Sequence, residues 1–357
     1  MEQFQSKDAL CQWLGQYQHP MLISGWCQTP GIVSVLASGV VKIELPFINQ
    51  SLHEGLSAWV KNQISDGVVP DFKYDIVSKT KALQTTVAAE VKGVKNIIAV
   101  TSAKGGVGKS TTAVNFALAL SEAGAKVGML DADIYGPSVP IMLGTQGQKP
   151  DVRDNKWMQP IPSHGLYTNS IGYLIEDADA AIWRGPMASK ALSQLLNETE
   201  WPDLDYLVID MPPGTGDIQL TLSQQIPVTG ALIVTTPQDL ALADARKGAA
   251  MFEKVNVPVL GLVENMSYHI CSHCGEKEHI FGQGGAVQMA QDFGLALLAQ
   301  IPLHISVRED LDAGKPTTVA RPNSEHAHIY RELAETVISK MFWQGKAKPD
   351  AISFVAL

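Results

Sequence analysis

The sequence predicts an α/β protein, with an open, mostly parallel sheet covered by helices on both faces and a small α+β domain before it. From Lys95 onward, five short apolar runs (NIIAVTS, KVGMLDAD, DYLVIDM, GALIVTT and PVLGLVEN) are nearly continuous in Val, Ile, Leu and Ala. Runs of that kind are strands buried on both faces. Amphipathic stretches at residues 110–122, 188–197 and 240–255 separate several of them, and such alternation builds a parallel sheet with covering helices. The small domain is read from VKIELPF (residues 41–47), which alternates as a half-buried strand does. Asn49 and Ser51 follow as N-cap candidates, then Leu52, Leu56, Trp59, Val60 and Ile64 recur on one helical face.

These textures divide the chain into an accessory domain (1–80), a linker or connecting helix (81–94), a nucleotide-binding domain (95–345) and a C-terminal tail (346–357). With 357 residues, 45% of them apolar and 18% charged, the chain can bury a large core in two units. The net charge of −9 argues against a general nucleic-acid binder, which needs a basic excess. No apolar run approaches the roughly 20 residues that span a bilayer. MEQFQSKDAL has neither a basic n-region nor an apolar h-region, so a cytoplasmic protein is expected. Of the four cysteines, Cys11 and Cys27 read as small apolar residues, while Cys271 and Cys274 lie three apart and call for an explanation.

AVTSAKGGVGKSTT joins a strand to a helix. Gly105, Gly106 and Gly108 permit the backbone that turns N–H groups inward around Val107, making an anion site with the helix N-terminus. Lys109 reaches the β- and γ-phosphates, the Ser110 hydroxyl ligates Mg²⁺, and Thr111 completes the loop. This is a P-loop for Mg-ATP. It departs from G-x-x-x-x-G-K-[ST] at Ala103, and Lys104 precedes the glycine pair instead. That form resembles the deviant phosphate loop of the superfamily of MinD, ParA and the nitrogenase iron protein. The resemblance implies that Lys104 reaches the nucleotide of a partner subunit, as an arginine finger does in trans.

Carboxylates mark two further strand ends. Asp210 closes VID before Pro-Pro-Gly and fits the Walker-B role of holding Mg²⁺. Asp131 and Asp133, the two aspartates of MLDAD, stand just past another strand; the resemblance assigns Asp133 to the attacking water and Asp131 to the metal site. Asp217 reads as a helix cap or turn former. Asn265 closes LGLVEN, and the resemblance gives it the adenine edge, with Arg321 and Pro322 flanking the ring.

Cys271-x-x-Cys274 supplies two thiolates to one metal or cluster edge, where closed sites want four ligands. A symmetric homodimer makes four sulfurs on a two-fold axis, compatible with Zn²⁺ or an iron–sulfur cluster. A mononuclear zinc site drawing on His269, His273 or His279 is the competing reading. The loop KGGVGKST together with DADIYGPS, DMPPGTGD and VENMSYHICSHCG resembles the Mrp/ApbC family of iron–sulfur cluster carrier ATPases over residues 95–340. The N-terminal domain resembles small domains of other iron–sulfur assembly factors, without an obvious cysteine at its strand–helix junction. The resemblance implies a slow Mg-dependent ATPase whose paired cysteines bridge a homodimer with a labile [4Fe–4S] cluster, passed to apo iron–sulfur proteins with no membrane or nucleic-acid partner. Two other readings compete. A MinD- or ParA-type positioning ATPase lacks a use for the cysteine pair, and the tail is broken by Gly345 and Pro349. A nitrogenase-reductase-like electron donor has its cysteines far apart in sequence.

Overall fold

The computed structural model describes residues 4, 6–174, 185–214, 217–271 and 273–349, with the backbone alone at residues 185, 186, 217, 218, 239 and 240. Ser272, the side chain of Asp217 and the end of the tail (350–357) lie outside the described residues. The chain divides into two units. Residues 1–84 and the segment from Ile338 on form one, and Thr85–Val337 the other.

The first unit holds α1 (Lys7–Leu14), β1 (Val33–Val35), β2 (Val41–Leu45), α2 (Gln50–Ser65) and β3 (Tyr74–Ser78). β2 is central, antiparallel to β1 and parallel to β3. Asn49 is the N-cap of α2, its Oδ1 accepting from Leu52 N at 2.8 Å. Leu52, Leu56 and Val60 are buried on the predicted face. The Cys11 and Cys27 thiols are buried, and each donates to the other's backbone carbonyl, at 3.2 and 2.9 Å. Residues 81–93 form no helix, and Leu83 bridges Ala347.

In the second unit the chain runs β4 (Val94–Thr101), α3 (Lys109–Glu122), β5 (Val127–Asp131), α4 (Val139–Met142), the short ribbon β6 (Val152–Arg153) and β7 (Trp157–Met158), β8 (Ile161–Ser163), β9 (Leu166–Ser170), α5 (Gly185–Asn197), β10 (Leu204–Asp210), α6 (Asp217–Gln225), β11 (Gly230–Thr235), α7 (Asp239–Lys254), β12 (Val259–Ile270), β13 (Lys277–Glu278), α8 (Gly285–Asp292), β14 (Leu297–Leu303), α9 (Ile305–Asp312), α10 (Thr317–Ala320) and α11 (Glu325–Gln344). The main sheet has the order β13-β12-β11-β4-β10-β5-β9-β8, and β14 also pairs with β12. Its pairings are parallel except β8 with β9 and β12 with β13. The five apolar runs are β4, β5, β10, β11 and β12. β4 and β10 are buried along nearly their whole length, as a central parallel strand requires. Residues 112–120 of α3 are all buried, so this helix is apolar around its circumference.

The last helix belongs to both units. The sequence assigned residues up to 345 to the nucleotide-binding domain, whereas the segment from Ile338 on groups with the first unit. The cause is local packing: Ser339 Oγ and Trp343 Nε1 donate to Met21 O at 2.9 and 2.8 Å, and Phe342 and Trp343 set their edges against Phe47.

Topology fixes where a ligand meets the sheet. From β4 the chain crosses over α3 to β5, leaving the gap that β10 later fills; from β10 it crosses to β11 on the other side of β4. The carboxyl ends at such a reversal form a crevice. Asp210 is in register with Val100 on one side and Asp131 on the other, so three strand ends deliver the phosphate loop and two carboxylates to one place.

Candidate functional site

The phosphate loop leaves β4 at Thr101 and becomes α3 at Lys109. Gly106 and Gly108 take φ of +80° and +81°, a region that side chains rarely enter. Nothing lies within 4 Å of where a Cβ would stand on Gly105 or Gly106, whereas one on Gly108 would come to 2.0 Å from Asn265 Nδ2. The loop is therefore open toward a ligand on one side and closed against Asn265 on the other. Ser102 Oγ donates to Lys104 O at 2.8 Å, and Gln219 Nε2 donates to Thr101 Oγ1 below the loop. The Lys104 ammonium has no ion-pair partner among the described residues.

Lys109 is buried, and its Nζ donates to Asp210 Oδ1 at 2.5 Å, with Ser110 Oγ at 3.3 Å and Asp133 Oδ2 at 3.6 Å. Asp210 is fully buried, and its Oδ2 has no hydrogen-bond donor among the described residues. Burial raises its carboxyl above the usual range, against the opposing pull of the Lys109 ammonium. Asp131 is also fully buried; Asp133 N, Val139 N and Ser170 Oγ donate to it at 3.1, 3.2 and 3.0 Å. Burial, then the neighbouring Asp210 charge, push it up to about 7. Lys109, Ser110, Asp131, Asp133 and Asp210 thus converge.

Beside Gly108 and Thr111 opens a cavity of about 390 Å³, lined by Asn265, Met266 and the apolar residues Ile141, Ile301, Pro302 and Leu303, with His304, Arg308 and Tyr330 at its polar points. Its size suits a nucleoside. Asn265 Nδ2 donates to Val107 O at 2.9 Å, which leaves Oδ1 as the amide's free acceptor. Arg321 is placed elsewhere than the sequence expected. It does not line this cavity, and its Nε donates to both Asp310 carboxylate oxygens at 3.1 and 3.0 Å. The polar side chains that line the cavity from the start and body of α9, His304 and Arg308, carry no motif, and nothing in the sequence marks them.

This site fits Mg-ATP on two observations: the orphaned Oδ2 of Asp210 offers a buried anionic ligand beside Ser110, and the open glycine face offers backbone N–H groups for phosphate.

The cysteines stand on a β-hairpin. β12 and β13 pair antiparallel through His269 with Glu278 and Ile270 with Lys277. Gly275, at φ +75°, donates its N–H to Cys271 O at 2.8 Å, and Cys271 N donates to Glu276 O at 2.9 Å. Cys274 is exposed and Cys271 half-buried. The backbone N–H groups of Cys274 and then His273 hold the Cys271 thiol below its ordinary range, which favours the thiolate that binds metal. Tyr268 Oη and Lys277 Nζ donate to Glu325 Oε1 at 2.9 and 3.0 Å, and Lys277 lies 4.5 Å over the Tyr268 ring. His279 Nδ1 pairs with Ser267 O at 3.1 Å. Among the described residues no group of three or more His, Cys, Asp or Glu side chains is gathered to hold a metal ion. Nor is any described helix long and apolar enough to cross a membrane.

Comparison with known proteins places this geometry. Residues 93–338 match the family described as ParA, NUBPL iron-transfer P-loop NTPase. The iron-sulfur cluster carrier protein of Escherichia coli K12 is 67% identical over 267 residues, 75% of this chain and 72% of that one. That of Haemophilus influenzae is 54% identical over 352 residues, 96% of this chain and 94% of that one. Among solved structures, a nucleotide-binding protein of Archaeoglobus fulgidus in complex with ADP is 36% identical over 66% of this chain and 91% of that one, with a TM-score of 0.58.

Proposed function

This chain belongs to the ParA/NUBPL iron-transfer family of P-loop NTPases, and from that premise we propose that it carries an iron–sulfur cluster on Cys271 and Cys274 under the control of Mg-ATP. The observation that carries the reading is that one strand, β12, serves both places: Asn265 hydrogen-bonds the phosphate loop, and the strand ends at the cysteine hairpin. The names of the E. coli and H. influenzae relatives supply the cargo.

Each residue then has a task. The loop N–H groups and Lys109 bind the phosphates, and Ser110 and Asp210 hold Mg²⁺, with Asp131 supporting it. When bound, Mg²⁺ would supply neutralisation of the phosphate charge. Asp133, beside Lys109, orients the water for hydrolysis, which is slow, as suits a switch. Lys104, with no ion pair among the described residues, reaches the nucleotide of a second copy and stabilises charge as the γ-phosphate leaves. Asn265 Oδ1 accepts from the adenine amino group.

Two cysteines per chain are half of a four-sulfur site, so two copies hold one [4Fe–4S] cluster between them as cargo for apo iron–sulfur proteins. That no third ligand is gathered at the pair among the described residues supports this arrangement over a zinc site within one chain. The setting is the cytoplasm. Anaerobic reconstitution with iron and sulfide, then incubation with an apo-acceptor, tests the function. Cluster uptake followed by acceptor activation is expected; tight binding of Zn²⁺ with no uptake of iron and sulfide refutes it.

A further inference from the structure

β12 is not regular between its two functional ends. Asn265 pairs with Ile301 and His269 with Leu303, so four steps along β12 are matched by two along β14. The surplus is taken up in a bulge at Met266, whose φ is +55°. A β-bulge bends a strand and re-aims the residues beyond it, and an unbranched non-glycine residue there adds strain. Something must hold it.

That something is a buried polar knot. Glu264 is 1% exposed, yet no cation among the described residues pairs with it. Its Oε1 accepts from Ser267 Oγ at 2.5 Å and from Gln300 Nε2 at 2.8 Å, and its Oε2 from Ala286 N at the start of α8, at 3.3 Å. Gln300 Nε2 also reaches Ser267 Oγ at 3.1 Å. Glu264 and Ser267 flank Asn265 and the strained Met266, so the carboxylate staples the bulge from both sides. A buried carboxylate without a cation is costly unless its donors are complete, and here the N–H at a helix start adds to them. On one side of the knot Asn265 grips Val107 O of the phosphate loop. On the other, Ser267 O meets His279 Nδ1, which lies one residue past β13 of the cysteine hairpin.

We propose that Glu264, through Ser267 and Gln300, is the positioning residue that makes the Met266 bulge a rigid link between the nucleotide loop and the cysteine pair, so that nucleotide at Val107 and Gly108 changes the exposure of Cys271 and Cys274. The inference rests on the nucleotide reading above, and not on the cargo. Movement of Val107 O on nucleotide binding is passed by Asn265 to a stapled bulge, which turns the hairpin as one piece. With the staple cut, the bulge absorbs the movement.

The test uses cluster-free protein and needs no acceptor. The alkylation rate of Cys271 and Cys274 by a maleimide is measured with and without a non-hydrolysable ATP analogue; Cys11 and Cys27 are buried and give no background. ATP-analogue affinity is measured alongside. In the wild type the analogue is expected to change the rate by roughly fivefold or more, the lower range of coupling between sites. In Ser267→Ala the affinity stays within about twofold while that rate ratio falls toward one. Glu264→Gln, which sets an amide N–H against other donors, is expected to do the same. A wild-type rate untouched by bound analogue overturns the link, and so does a ratio preserved in both variants. Failure of the analogue to bind at all would instead refute the nucleotide reading on which the link depends.

Discussion

Lys109 and Asp210 form a buried ion pair, Nζ to Oδ1 at 2.5 Å, at the foot of the phosphate loop. Each holds the other's charge until the ligand arrives. On the reading proposed above, Lys109 would turn to the phosphates and Asp210 would be left to hold Mg²⁺. Lys109→Ala is expected to weaken ATP-analogue binding roughly thirtyfold, from about 2 kcal/mol for a hydrogen bond to a charged group, as read by calorimetry. Unchanged affinity would remove Lys109 from the site.

The same pair sets a stability expectation without nucleotide. Removing one member of a buried pair strands the other, at about 3 kcal/mol. Lys109→Met is therefore expected to lower the urea midpoint strongly, and the double variant Lys109→Met with Asp210→Asn to recover much of the loss. Additive losses in the double variant would show that the two groups do not depend on each other.

Hydrolysis is expected to need Lys104 and Asp133 more than binding does. Lys104 has no ion-pair partner among the described residues, and Asp133 stands 3.6 Å from the Lys109 ammonium. Lys104→Ala and Asp133→Asn are each expected to keep nucleotide affinity within a few-fold while turnover falls about a hundredfold. Normal turnover in both variants contradicts the mechanism across the dimer.

Most of this was legible before the structure, and for physical reasons. β4, β5, β10, β11 and β12 are central strands, where burial on both faces writes an unbroken apolar run. The ligand groups come after them because a parallel sheet presents its carboxyl ends to the ligand. β14 was not legible: it is half-exposed along much of its length, and Gln300 interrupts its run because that side chain serves Glu264. Arg321 follows α10 and donates to Asp310 in the preceding helix α9, a pairing that sequence spacing does not reveal. Ser339 and Trp343 fall within the 95–345 division read from the sequence, whereas both donate to Met21 O and group with the first unit.

Stability should fall in mild acid through His326. Burial lowers its pKa from the ordinary histidine value, and Nε2–H donates to Pro302 O at 2.9 Å in the neutral ring. The unfolded chain takes up a proton near pH 6.5, and the folded protein does so only at lower pH. The contribution is thus present above that value and lost as pH falls below it. His326→Gln keeps an N–H donor and does not titrate. Between pH 7 and 5 the wild type is expected to lose unfolding free energy relative to this variant; parallel pH profiles in urea titrations would contradict it.

The central claim is that Cys271 and Cys274 of two chains share one cluster. Native mass spectrometry of anaerobically reconstituted protein tests it most directly. The account predicts a dimer carrying one [4Fe–4S] cluster, and clusterless protein for Cys271→Ala and for Cys274→Ala, both still binding ATP. A monomer with a full cluster, one Zn²⁺ per chain, or a full cluster in the cysteine variants would contradict it.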